Sequence, residues 1–395
     1  MKTPSPRRVI RTALVTLALA FHVSSFAMSS HLIYLGTYSR NGSKGIYAVR
    51  LDGDTGALSA PTLATEANNA PWLTFSPDKK FLYTVSETQS QAIGFAVDAA
   101  NAKLIPLPAA TSPVAKPPSH LAVDATGRTL LAANYADGYV ESMPIHSDGT
   151  LGVPVKIQHT GTSVNPTRQS QSHVHSVTPS PDNRFVIVCD LGLDKIFTYA
   201  LVTPKPGEGR LDPASPEPAE RATAKLTPAN PPFVVTAPGA GPRHFKFGAD
   251  GKHAYALNEI NSTMAAYDYD AANGALTPRQ VLPMLPSDFK GETTAAEVRV
   301  HPNGKFLYGS NRGHDSLAIF AIDQKSGLLT PVDIVPSGGK TPRNFAFSPD
   351  GTWLVCAHQD SGNLVVFRVD PATGRLTRTK SEASVPACVC VLFYD

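Results

Sequence analysis

Short runs of alternating apolar and polar residues, each folded back by a tight polar turn, recur along this chain. The clearest is Gly241 to Glu259, GPRHFKFGADGKHAYALNE. RHFKF and HAYAL read as strands, with Ala249-Asp250-Gly251-Lys252 as the turn between them. A hairpin brings its two ends together, so Arg243 and Glu259 are expected side by side although sixteen positions separate them. The same pattern returns as PWLTFSPDKKFLYTVSE from Pro71, SHLAVDATGRTLLAANY from Ser119 and HSVTPSPDNRFVIVCDL from His175. It appears again as AEVRVHPNGKFLYGSNR from Ala296 and PRNFAFSPDGTWLVCAHQ from Pro342.

A second landmark closes each unit, a Gly-x-Leu-like turn ending at Leu58, Leu104, Leu151, Leu226, Leu276, Leu329 and Leu376. Most of these leucines stand 46 to 53 residues apart. Four short strands per unit at that period predict an all-β, seven-bladed β-propeller. The step from Leu151 to Leu226 is longer by about 25 residues. Two segments account for it, the polar loop from Gly161 to Ser172 and a Pro-rich run over about 203–238, which proline's missing N–H marks as a surface excursion rather than extra sheet. The chain ends explain each other. HLIYLGTYSR near the start lacks a first strand and VPACVCVLFYD at the end lacks a second, so together they are expected to close one blade and remove the exposed edges.

The first residues carry Lys2, Arg7, Arg8 and Arg11, then an apolar run from Ala13 to Phe21, then Ser25-Phe26-Ala27. This describes a secretory signal peptide over 1–27, followed by a single propeller domain over 28–395 in a periplasmic or secreted protein. Without those four cations the formal balance of +3 becomes −1, which argues against nucleic acid or an anionic membrane as partner. No stable membrane insertion is expected after cleavage. Cys189, Cys356, Cys388 and Cys390 all lie in apolar strand runs and read as buried free thiols, with a cross-blade pair of Cys356 left open.

Superposing the units turns each strand position into a ring about the axis. The residues opening the innermost strands are Pro71, Ser119, His175, Arg243, Ala296, Arg343 and Ala387. Those ending the second strands are Tyr38, Glu87, Tyr135, Leu191, Glu259, Arg312 and Gln359. Both rings fall at one end of the propeller, and their mixture of His, Arg and Glu at symmetric positions points to a binding site. Taken singly, each charged residue reads more readily as rim solvation or an inter-blade ion pair. Taken together, Arg243 and Arg312 offer planar forks for an anion, His175 exchanges a proton near neutrality, and Glu259 offers a base. His173 and His175 share a strand face, but no acidic or Cys cluster completes a metal shell, so neither metal nor cofactor is expected. His301 and His314 read as solvated turn residues.

The chain also resembles the lactonase-type seven-bladed propellers, which include 6-phosphogluconolactonases and 3-carboxy-cis,cis-muconate cyclases. The resemblance spans the mature chain. It is carried by YLGTYS at Tyr34, VNPTRQSQSHVHSVTPSPDNRF from Val164, DLGLDKIF from Asp190, GAGPRHFKF from Gly239, YALNEINST from Tyr255 and the run through SNRGHDS from Ala296. It implies His175, Arg243, Glu259 and Arg312 as the catalytic set, and a loop bearing Asn165, Arg168 and Gln169 over the pocket. His173, Arg168, Arg343, Asn258 and Asn311 are the candidate substrate-binding residues. The implied reaction is metal-free hydrolysis of a sugar lactone. Glu259 would activate water, Arg243 and His175 would steady the oxyanion, and Arg312 would grip an acidic substituent, with Glu259 and His175 able to exchange duties. Replacing Glu259 by Gln is expected to abolish turnover and leave the fold intact. The signal segment favours an unphosphorylated sugar lactone over a phosphorylated one. A muconate-cyclising enzyme and a non-catalytic ligand-binding propeller are the alternatives.

Overall fold

The computed structural model describes residues 1–2, 30–86, 91–108, 118–203 and 225–394. Among them are seven sheets of four antiparallel strands, arranged as consecutive blades. Cys388–Phe393 pairs with Ser30–Thr37, so the last strand of the chain is the innermost strand of blade one and the ring closes on itself. The core is divided among the blade interfaces. Tyr255, Leu257 and Met264 of blade five, for example, pack on Val298, Leu307 and Phe320 of blade six. Each blade is sandwiched between two neighbours, which lets both of its faces be apolar.

The Gly-x-Leu landmark acquires a physical meaning at these seams. Tyr83, Tyr255 and Tyr308 stand at one repeated position in the second strands. Each donates its hydroxyl to a glycine carbonyl in the following blade, Gly149 at 3.0 Å, Gly327 at 3.0 Å and Gly374 at 2.5 Å. These glycines have φ of 85°, 67° and 71°, and a Cβ on Gly327 would fall 2.2 Å from the His253 ring. Positive φ and close approach together require glycine there. Blade two departs from the rule, with Ala102 at the turn. Tyr34, which packs in that seam, is buried and its hydroxyl makes no hydrogen bond.

Two expectations are corrected. Part of the Pro-rich run is sheet, because Lys225–Val235 forms the outermost strand of blade four. Tyr199 pairs with Pro228 and Phe197 with Phe233, and the residues between bulge out of register. An edge strand leaves one side of its ladder unpaired, which is where proline is tolerated. His301 is buried rather than solvated, with Nε2 2.9 Å from the Gly351 carbonyl. The four cysteines are free and buried. The proposed signal segment beyond its first two residues, the rest of the Pro-rich run and Glu87 lie outside the described residues. Among the described residues, no helix is long and apolar enough to cross a membrane.

Candidate active site

The inner strands are bulged where they reach one end of the central channel. In blade four Val174 pairs with Asp190 and Ser176 with Cys189, so His175 has no partner across the ladder. The register skips Arg243 in blade five, Arg343 in blade seven and Val389 in blade one in the same way. A bulged residue is released from strict alternation and re-aimed. All four consequently line one cavity of about 350 Å³, together with Glu259, Arg312 and Arg168. The bulge also corrects the first ring, since blade one contributes Val389 to the cavity in place of Ala387. Leu191 and Gln359 of the second ring do not line it either.

Glu259 is the hub of this cavity. Its Oε2 accepts from Arg243 Nε at 2.7 Å and lies 3.1 Å from Arg312 Nη2 and 3.7 Å from His175 Nε2. Its Oε1 accepts from Arg168 Nη2 at 2.5 Å. Burial alone would raise the carboxyl pKa, but Arg312, Arg243, His175 and Arg168 outweigh it and hold Glu259 well below the usual carboxylate range. His175 moves the other way. Burial, then the adjacent Arg243, push it well below the usual histidine range against the pull of Glu259, so the ring is neutral. Its Nδ1 is buried without a hydrogen-bond partner. Arg343 lies 5.5 Å over the Tyr38 ring and makes no hydrogen bond to any described residue. Three guanidiniums thus meet one carboxylate and a fourth, Arg343, lines the same cavity, which suits it to an anion or a developing negative charge.

Arg168 reaches Glu259 from the loop between blades three and four, and the DLGLD motif holds that loop in place. Asp190 accepts from Ser172 Oγ at 2.6 Å and from the His173 amide at 2.9 Å. Asp194 accepts from Ser163 Oγ at 2.6 Å, and from the Gly239 and Gly241 amides at 2.7 Å each. Gln169 donates to the Leu191 carbonyl at 2.8 Å. One short turn therefore fixes both the Arg168 loop and the entry to the Arg243 strand.

Three proposed binding residues are not brought to the cavity. Asn258 and Asn311 are buried and spend their amides elsewhere, Asn258 on Thr263 of its own hairpin and Asn311 on Ser316 and on the Met284 carbonyl that follows the outer strand of blade five. Strand alternation turns each away from its pocket-facing neighbour. His173 stacks on Tyr135 at 4.3 Å and hydrogen bonds its carbonyl, so it supports a lining residue without lining the cavity itself. Trp72 and His244 do line it and were not singled out by sequence. His244 follows Arg243 directly, and only the bulge lets consecutive residues both face the axis.

The architecture is a closed seven-bladed propeller with this polar cavity at one end. The chain belongs to the family of seven-bladed β-propeller lactonases, whose family model matches residues 32–393. It is 34% identical over 376 residues to the 6-phosphogluconolactonase of Bacillus subtilis (strain 168), covering 93% of this chain and 99% of that one. It is 30% identical over 365 residues to the 6-phosphogluconolactonase of Formosa agariphila, covering 89% and 96%. It is also similar to the solved structure of the Pseudomonas aeruginosa periplasmic gluconolactonase PpgL, with a TM-score of 0.82 and 33% identity over 92% of this chain and 99% of that one.

Proposed function

We propose that the protein is a lactonase that hydrolyses a sugar lactone to the open-chain acid. The observation that carries this reading is the neutral His175 beside a carboxylate gathered by arginines, in a cavity with a guanidinium nitrogen to spare. Arg243 Nε is held by Glu259 and Nη1 by the Ala296 carbonyl and His244, which leaves Nη2 without a partner among the described residues. Water attacks the lactone carbonyl carbon and His175 takes the water's proton. Arg243 and Arg312 stabilise the oxyanion. The ring C–O bond then breaks and the proton passes from His175 to the departing alkoxide. Glu259 suits the organising role better than the basic one, since the guanidiniums of Arg243, Arg312 and Arg168 already occupy both of its oxygens. This exchanges the duties first expected of Glu259 and His175.

The relatives' names favour sugar lactones, and the periplasmic relative favours an unphosphorylated substrate such as glucono-δ-lactone in the same compartment. A pH-stat assay with glucono-δ-lactone and 6-phosphogluconolactone, beside Arg243→Ala, tests the reading. Acid release above the spontaneous rate, lost in the variant, is the expected result. No release from either lactone, with turnover of a carboxymuconate or none at all, overturns it.

A further inference from the structure

Against the Arg243 guanidinium, where His244 reaches the cavity wall, lies a second polar cluster that the reaction above does not use. His244 follows Arg243 in the bulged strand of blade five, and Glu297 sits in the corresponding bulge of blade six. Glu297 is fully buried. Its Oε2 accepts from Asn344 Nδ2 at 2.5 Å and lies 3.3 Å from His244 Nδ1, while Oε1 accepts from the Val298 amide at 3.2 Å and lies 3.3 Å from Arg299 Nε. Arg243 Nη1 meets the same imidazole, 3.1 Å from Nε2 and 3.5 Å from Nδ1.

The donor and acceptor inventory fixes the proton on this ring. A guanidinium has no lone pair to offer, and both Glu297 oxygens already accept from N–H groups. His244 must therefore accept from Arg243 and donate to Glu297. Nε2, nearer to Arg243, carries the lone pair, and Nδ1, facing Glu297, carries the hydrogen. Burial first, and then the neighbouring Arg243, keep the ring neutral by lowering its pKa well below the usual histidine range, and a doubly protonated ring would have no acceptor to present to Arg243.

We propose that Glu297 and His244 are positioning residues for catalysis, a carboxylate–imidazole pair that grips Arg243 Nη1 and so aims its free Nη2 at the developing oxyanion. The alternative for His244 is plain packing, since its ring also lies 5.3 Å from Trp72, 5.3 Å from His120 and 5.4 Å from His175. The two roles predict opposite outcomes for two substitutions. His244→Phe keeps an aromatic ring among those neighbours but has neither an acceptor for Arg243 nor a donor for Glu297. His244→Gln loses the ring but can place an amide oxygen toward Arg243 and an amide N–H toward Glu297.

The inference rests on the lactonase reading for its kinetic arm and stands apart from it in its spectroscopic arm. With a lactone that the wild type turns over, His244→Phe is expected to lower kcat about 100-fold with KM within twofold, the signature of a misaimed group. His244→Gln is expected to stay within about tenfold of wild type. Full activity in the Phe variant with loss in the Gln variant overturns the proposal in favour of packing. Independently of turnover, 15N-histidine NMR of the wild type, with His244 assigned by its absence from the Gln variant, is expected to show the Nδ1–H tautomer. An Nε2–H tautomer or a protonated ring overturns the proposal even if the lactonase reading stands. Absence of lactone turnover with an Nδ1–H ring sinks the lactonase reading and leaves the grip on Arg243 intact.

Discussion

The seams between blades and the open end of the channel are made from the same repeated strands, yet they obey different rules. At the seams the residues repeat. Tyr83, Tyr255 and Tyr308 each meet a glycine carbonyl of the next blade, because these three blades face the same glycine turn in their neighbours. At the open end the equivalent positions hold Ser119, His175, Arg243 and Arg343, and no two adjacent blades offer the same group. Repetition marks where packing decides the residue, and its failure marks where chemistry does. The difference extends to charge, since the seams hold tyrosine hydroxyls and apolar rings whereas the open end gathers Arg243, Arg312 and Arg168 on Glu259.

The strongest way to break this contrast is to remove the carboxylate at the hub. Glu259→Gln is expected to cut lactone turnover at least 100-fold. It should also destabilise the protein by about 3 kcal/mol, because Arg243, Arg312 and Arg168 lose their shared counter-charge in a buried site. Both effects are read together, turnover from the pH-stat assay and stability from the denaturant midpoint of the folded variant. A variant with wild-type stability would show that water already neutralises the arginines, and the open end would then be no more demanding than a solvated rim.

Acid should separate the two regions next. His120, His175 and His244 form a buried, neutral group about the channel, each held below the usual histidine range first by burial. The unfolded chain takes up protons at these rings below about pH 6.5 while the folded protein does not, so stability falls as pH drops through that value. Each ring is worth about 1 kcal/mol by pH 5.5 on that slope. Glu259, whose folded pKa is depressed, keeps its contribution through this window and loses it only at lower pH. Thermal melts between pH 7.5 and 5 check the sign. A Tm that is flat across the range would mean the rings are charged in the folded state.

Glu141 tests the rule from inside a sheet. Both of its oxygens are buried without partners, and burial, with Lys156 opposing, raises its pKa to about 7. Ionisation there is resisted by the fold, so its penalty builds as pH rises from the ordinary carboxylate range to about 7 and then levels off. Glu141→Gln is expected to be nearly neutral at pH 5 and to stabilise by roughly 1–3 kcal/mol at pH 8. Equal effects at both values would mean that the carboxylate finds solvent or a cation in the native state.

The architecture was legible because its causes are local and repeated. Strand–turn–strand runs and the glycine turns recur at a fixed spacing, and the unmatched strands at the two ends announce ring closure. The pairing of Arg243 with Glu259 followed from the hairpin alone. What escaped was set by departures from regularity. The bulges that re-aim His175, Arg243, Arg343 and Val389 shift the register by one, so a ring drawn by alignment chose Ala387 and missed His244. Asn258 and Asn311 were drawn in by adjacency to Glu259 and Arg312, although alternation turns them inward. The strand at Lys225–Val235 was hidden by prolines that an edge position tolerates. The acid–base roles could not be read from residue types, because they depend on how many guanidiniums meet one carboxylate.

The finest form of the comparison lies within the seams themselves. Tyr255 donates to Gly327 across blades five and six, whereas Tyr34 occupies the same strand position but its buried hydroxyl has no partner. Removing a hydroxyl that is hydrogen bonded strands its acceptor, and removing one that is not relieves a desolvated group. Tyr255→Phe is therefore expected to cost about 1 kcal/mol, and Tyr34→Phe to be neutral or to stabilise by a few tenths. Because both variants keep the ring and the packing, the difference between their denaturant midpoints reads the hydrogen bond alone. Equal losses would mean that the hydroxyl acts through packing at every seam, and the glycine landmark would then owe its recurrence to φ and close contact without any help from tyrosine.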